Sequence, residues 1–84
     1  MTIELEGKEY HLSSAQRQVV QELYEYNNSR VLESPYYNYQ EVYFDTLSQF
    51  YFKRPTKDWL KSRNILITSS NPRWLVLNPK VKVL

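Results

Sequence analysis

The predicted fold is organised around one basic stretch in the second half of the chain: Lys53-Arg54-Pro55-Thr56-Lys57-Asp58-Trp59-Leu60-Lys61-Ser62-Arg63. Five of its eleven residues are cationic, and only Asp58 is anionic. Residues 1–50 carry three Lys or Arg against eight Asp or Glu, a formal charge of −5, whereas residues 51–84 carry eight against one, a charge of +7. This asymmetry predicts a positive surface for an anionic partner; the alternative is that the two halves neutralise one another across the fold.

The basic stretch predicts a short helix with two different faces. Trp59 and Leu60 are expected to face the core, and Arg63 falls on the Trp59 side, where it either caps the helix or stacks on the ring. Lys57 and Lys61, four residues apart, are expected to share the opposite, exposed face. The signals at its ends are Pro55, which stops the preceding element, Thr56 as N-cap, Asp58 in the first turn, and Asn64 as the C-terminal stop.

A β-hairpin is predicted directly after this helix. Residues 65–68 and 74–77 are rich in β-branched and aromatic side chains, which favour strands. The Ser/Asn/Pro cluster between them predicts a turn with Ser70–Pro72 at its tip. Pro79 then interrupts the pairing, and Lys80–Leu84 alternates charged and apolar residues as an edge strand does.

A second hairpin and a helix are predicted at the N-terminus. Apolar and polar residues alternate on both sides of Glu6-Gly7-Lys8, so residues 2–12 are expected to form a hairpin that turns at the single glycine. Ser13 followed by Gln16 is a capping-box pattern, which predicts the start of an amphipathic helix that ends near residue 27.

The middle of the chain is expected to hold an irregular connection and another helix. Pro35 stops any regular element in residues 29–37. Asn38 and Glu41 form a second capping-box candidate, and the helix they begin is predicted from Tyr39 to about Tyr51.

Composition indicates one soluble α+β domain that spans residues 1–84. The chain contains no cysteine, which leaves no disulfide framework and no thiolate zinc site. No apolar run approaches the ~20 residues of a membrane span, and the N-terminus lacks the layout of a signal peptide. We therefore expect a cytoplasmic protein with no membrane association.

The element order resembles a winged helix-turn-helix domain. The fold is expected to contain an N-terminal hairpin, three helices, and a C-terminal hairpin, the wing, followed by a short edge strand. The resemblance covers roughly Ser13–Asn78 and rests on element order. It implies that the third helix, Thr56–Arg63, enters the major groove of double-stranded DNA, while the wing contacts the flanking backbone.

The predicted function is that of a small non-enzymatic DNA-binding protein, either a transcriptional regulator or a DNA-associated accessory factor. Lysine and arginine neutralise phosphates and release counterions, which positions a protein on DNA. Two copies could pair through the edge Lys80–Leu84 or through the neighbouring tyrosines 36 and 37. The predicted nucleic-acid-binding residues are Lys53, Arg54, Lys57, Lys61 and Arg73. Arg63, on the Trp59 side of the helix, is expected not to face DNA.

The alternative function is a protein-binding module or inhibitor on the same winged-helix-like scaffold. Exposed tyrosines anchor protein interfaces, and an acidic surface suits a partner that itself binds nucleic acid. The residues predicted for this role are Tyr36, Tyr37, Glu41 and Asp45. His11 is the only histidine, and neither a phosphate-binding glycine loop nor a metal-ligand spacing is present, so we expect no enzyme activity, no cofactor and no metal site.

Overall fold

In the computed structural model, which describes residues 1–25, 31–32, 53–68 and 74–84, the fold is α+β. The described strands form two antiparallel three-stranded sheets, in the orders β2-β1-β6 and β3-β5-β4. The described elements, in chain order, are β1 (Thr2–Leu5), β2 (Lys8–His11), α1 (Ser14–Glu25), β3 (Val31–Leu32), α2 (Arg54–Ser62), β4 (Leu66–Thr68), β5 (Trp74–Leu77) and β6 (Lys82–Val83).

The predicted N-terminal hairpin is confirmed. β1 and β2 pair from Thr2↔His11 to Leu5↔Lys8, which leaves a two-residue loop. Both loop residues have positive φ, 52° at Glu6 and 84° at Gly7. Two positive φ values are typical of a type I′ turn, whose twist matches that of the flanking strands.

The predicted capping box at the start of α1 is also confirmed. The Ser13 backbone N–H donates to Gln16 Oε1 at 2.9 Å, and the Gln16 N–H donates to Ser13 Oγ at 3.3 Å. Val19, Val20 and Leu23 are buried as the apolar pattern predicts. α1 is described as far as Glu25, so its predicted end near residue 27 lies outside the described residues.

The start of α2, the third helix in the sequence-based prediction, differs from what was expected. The helix begins at Arg54, its N-cap residue is Lys53 in an extended conformation, and Pro55 lies inside the first turn. Proline suits this position because the first helical N–H groups have no acceptor within the helix. Pro55 therefore belongs to the first turn of the helix rather than preceding it, and the prediction of Thr56 as N-cap is wrong. Asp58 lies beyond the first turn, so the prediction that it occupies that turn is also wrong.

The predicted end of α2 at Asn64 is confirmed in detail. Asn64 has a φ of 61°, in the left-handed region. Its N–H donates to the Lys61 carbonyl, and the Ile65 N–H donates to the Leu60 carbonyl, both at 3.0 Å. These two bonds form a Schellman motif, and the usual hydrophobic contact at such a helix end joins the positions held by Leu60 and Ile65, both fully buried here.

The hairpin after α2 is antiparallel, as predicted. β4 and β5 pair from Leu66↔Leu77 to Thr68↔Leu75, and the predicted tip at Ser70–Pro72 lies outside the described residues. The expectation of an irregular connection over residues 29–37 is wrong at Val31–Leu32. These two residues form β3 on the other edge of β5. So short a strand is defined by its partner rather than by its own composition.

The chain returns at its C-terminal end to the N-terminal hairpin. β6 is an edge strand, as predicted, and it pairs with β1 through Ile3↔Val83 and Glu4↔Lys82. One hydrophobic core is shared by both described helices and both sheets. Its fully buried members include Ile3, Val19, Leu60, Ile65 and Leu75.

Two further expectations concern larger parts of the chain. The predicted helix from Tyr39 to about Tyr51 lies outside the described residues. The described residues therefore contain two of the three predicted helices. No helix within the described ranges is long and apolar enough to cross a bilayer.

Candidate nucleic-acid interface

The exposed face of α2 contains Lys61, as predicted, but not Lys57. Arg54, Asp58, Lys61 and Ser62 are exposed. At 100° per residue these side chains occupy one continuous stripe, which leaves the opposite side for the core. Lys57 is buried, with 7% of its surface exposed, so the prediction that it shares an exposed face with Lys61 is wrong.

The burial of Lys57 has a simple geometric origin. Lys57 precedes Leu60 by three positions and Lys61 by four. Residues at either spacing are neighbours on the surface of a helix. α2 packs against α1 and β4, and Leu60 is fully buried there. The covered side of α2 is wide enough to include Lys57.

Three of the predicted nucleic-acid-binding residues remain exposed: Lys53, Arg54 and Lys61. Arg54 Nε lies 3.8 Å from Asp58 Oδ2, and both side chains are more than half exposed. Exposed ion pairs of this kind contribute little to stability and are screened by salt. The stripe with Lys53 keeps a net positive charge. Arg73 and the residues of the alternative protein-binding surface, Tyr36, Tyr37, Glu41 and Asp45, lie outside the described residues.

A chain of contacts between two cations and two aromatic rings joins α2 to the N-terminal hairpin, in the order Arg63, Trp59, Tyr10, Lys8. The Arg63 guanidinium carbon lies 4.1 Å from the centre of the Trp59 ring. Tyr10 meets the same Trp59 ring edge to face at 6.1 Å, and the Lys8 ammonium lies 5.6 Å from the Tyr10 ring centre. Attraction between cations and ring faces, and between ring edges and faces, favours this order.

Arg63 fulfils both roles that its position in the sequence suggested. Besides stacking on Trp59, its Nη1 donates to the Trp59 carbonyl at 3.1 Å and to Ser62 Oγ at 3.2 Å. Its guanidinium therefore caps the C-terminal end of α2 and borders the exposed stripe through Ser62.

Sequence reasoning did not find Lys8 and Tyr10 as neighbours of α2. Their spacing of two residues on β2 places them on the same face of the strand, which the alternating pattern does contain. What the pattern lacks is any signal that this face meets Trp59, some fifty positions later in the chain.

His11 is exposed, and its Nδ1 lies 2.9 Å from the Thr2 hydroxyl on the neighbouring strand. In the described parts of the chain, no three His, Asp or Glu side chains are grouped so that they could hold a metal ion. A scan of protein-family models and searches of curated proteins and of solved structures found no match to this chain.

Proposed function

We propose that this protein binds double-stranded DNA through the exposed face of α2. In this proposal it is a small non-enzymatic protein of winged-helix type. It serves as a transcriptional regulator or DNA-associated accessory factor. The observation that carries the proposal is the stripe of Arg54 and Lys61, extended by Lys53 at the N-cap position. Lysine and arginine at such positions neutralise backbone phosphates and release the counterions bound to them.

The position of the stripe also supports the proposal. The Schellman turn at Asn64 leads from α2 directly into the antiparallel β4–β5 hairpin, so helix and hairpin have a fixed relation. In a winged-helix domain the corresponding helix lies in the major groove, and the hairpin touches the flanking backbone. Arg54 and Lys61, two turns apart, would position the helix, because lysine and an ion-paired arginine favour phosphate contacts over base reading.

The test is a salt titration of binding to random-sequence duplex DNA, measured by fluorescence anisotropy. The wild-type protein should lose affinity linearly on a log–log plot against salt concentration. The double variant Arg54→Gln/Lys61→Gln should bind more weakly and flatten the slope by about 1.8, since each lost phosphate contact removes about 0.9.

The matched control is Arg17→Gln/Lys82→Gln, which removes one arginine and one lysine from exposed positions on α1 and β6. Both double variants have the same net charge, so a general effect of charge would change them equally. A control slope equal to that of the wild type, with a flattened slope for the α2 variant, supports the proposal. Equal slopes for all three proteins, or no binding of wild type at low salt, would refute it.

A further inference from the structure

A polar groove lies where the N-terminal hairpin meets the C-terminal end of α2. Its volume is about 370 Å³. Volumes of ~300–1,000 Å³ are usual for small-ligand sites. Two cations from different elements line it, Lys8 of β2 and Arg63 after α2, together with Tyr10 and Asn64.

The charges around this groove leave it positive. Glu6 also lines it, but its Oε1 lies 3.2 Å from the Lys80 ammonium, which offsets the carboxylate charge. Within the described ranges, neither Lys8 nor Arg63 forms an ion pair with a carboxylate. The two cations are held by rings instead, Lys8 over Tyr10 and Arg63 over Trp59.

The donor geometry favours one kind of anion. Arg63 uses only Nη1 in its bonds to Trp59 and Ser62, which leaves its Nε–H and Nη2–H groups without a described acceptor. A guanidinium edge suits two oxygens of one phosphate, and an ammonium that lines the same groove adds a positive point charge. The contact with Trp59 and the two hydrogen bonds from Nη1 restrain the guanidinium before any ligand binds, which reduces the entropy lost on binding.

We propose that this groove binds a phosphate group through Arg63 and Lys8. In the DNA complex the group is a backbone phosphate beyond the C-terminal end of α2, an assignment that rests on the proposed function. Arg63 borders the exposed stripe through Ser62, so the phosphate path would run from Arg54 and Lys61 to Arg63 and Lys8. This path leads toward the N-terminal hairpin.

The first arm of the test measures the salt dependence of duplex binding. Lys8→Gln and Arg63→Gln should each flatten the log–log slope by about 0.9. Lys82→Gln and Arg17→Gln are the matched controls and should leave the slope unchanged. Arg63→Lys retains the charge and should keep the wild-type slope. If Arg63 had a purely structural role, Arg63→Gln would also keep the wild-type slope.

The second arm uses inorganic phosphate alone, added at constant ionic strength and followed by ¹H–¹⁵N NMR. We expect saturable shifts at Lys8, Asn64 and the Arg63 Nε–H, with loss of saturation at the two backbone positions in Arg63→Gln. Sodium chloride at the same ionic strength should produce no such shifts.

The outcomes separate the two proposals. Flattened slopes together with saturable shifts support a backbone-phosphate site. Saturable shifts with unchanged slopes support a site for a free phosphate-bearing molecule and overturn its assignment to DNA. Unchanged slopes without saturable shifts overturn the groove proposal. The slope of the Arg54→Gln/Lys61→Gln variant then tests the DNA function by itself. If the wild type binds no duplex, the DNA function fails and the phosphate titration decides the groove.

Discussion

Lys57 shows how the environment of one side chain changes its role. It is 7% exposed, and the other charged residue buried among the described positions, Glu22 on α1, is 6% exposed. A buried lysine packs its aliphatic stem, and its ammonium must be compensated by an opposite charge or by hydrogen bonds. Such a residue stabilises the core and does not reach a phosphate from an exposed helix face.

We expect Lys57→Glu to lower the free energy of unfolding by about 3 kcal/mol or more, because it places an uncompensated negative charge where a cation is buried. Lys61→Glu makes the same substitution one turn later at an exposed position, and there the change should stay within ~0.5 kcal/mol. Urea denaturation of both variants measures the difference. Equal midpoints for the two would show that Lys57 is not buried in solution.

At the scale of the element, the end of α2 depends on a single left-handed residue. The bonds from Asn64 to Lys61 and from Ile65 to Leu60 form only if Asn64 reverses the chain at positive φ. Asparagine and glycine adopt this conformation more readily than other residues do. The same turn places Ile65 in the core and directs the chain into β4.

Asn64→Ala should therefore cost about 1 kcal/mol, the lower end of the penalty for an L-residue in the left-handed region. Asn64→Gly should stay within ~0.5 kcal/mol of the wild type, because glycine has no such penalty but loses more chain entropy on folding. Midpoints of denaturant unfolding give both values. An alanine variant as stable as the glycine variant would contradict the Schellman motif at this position.

At the scale of the whole molecule, Asn78 connects the two sheets and the end of α2. Its side-chain Nδ2–H donates to the Asn64 carbonyl at 2.9 Å, and its Oδ1 accepts from the Lys80 N–H at 3.0 Å. Its backbone N–H donates to the Ile65 carbonyl at 2.9 Å. The residue thus joins the end of β5 to the turn after α2 and to the segment that leads into β6.

We expect Asn78→Ala to lower the free energy of unfolding by about 1–2 kcal/mol, since a typical hydrogen bond contributes about 1 kcal/mol. Asn78→Asp keeps the acceptor for Lys80 and loses the donor to Asn64, so its stability should lie between those of the wild type and Asn78→Ala.

Because one core serves both sheets, unfolding transitions followed by far-UV circular dichroism and by tryptophan fluorescence should coincide. Separate transitions would mean that the sheets unfold independently.

The sequence by itself determined the features that depend on near neighbours in the chain. The turn at Gly7, the capping box of Ser13 and Gln16, and the stop at Asn64 each follow from the preferences of a few consecutive residues. The stacking and capping by Arg63 also belong here, because its partner Trp59 lies only four residues earlier in the chain. Each of these interactions joins residues that lie within a few positions of one another in the chain.

Only the tertiary structure decided the features that depend on distant parts of the chain. β3 is a strand because β5 lies beside it, and β6 pairs with β1 rather than with the nearer hairpin. The burial of Lys57 and the contact between Tyr10 and Trp59 arise in the same way. A helical or strand pattern states which residues share a face, but the packing of the other elements determines how wide a face is covered and what covers it.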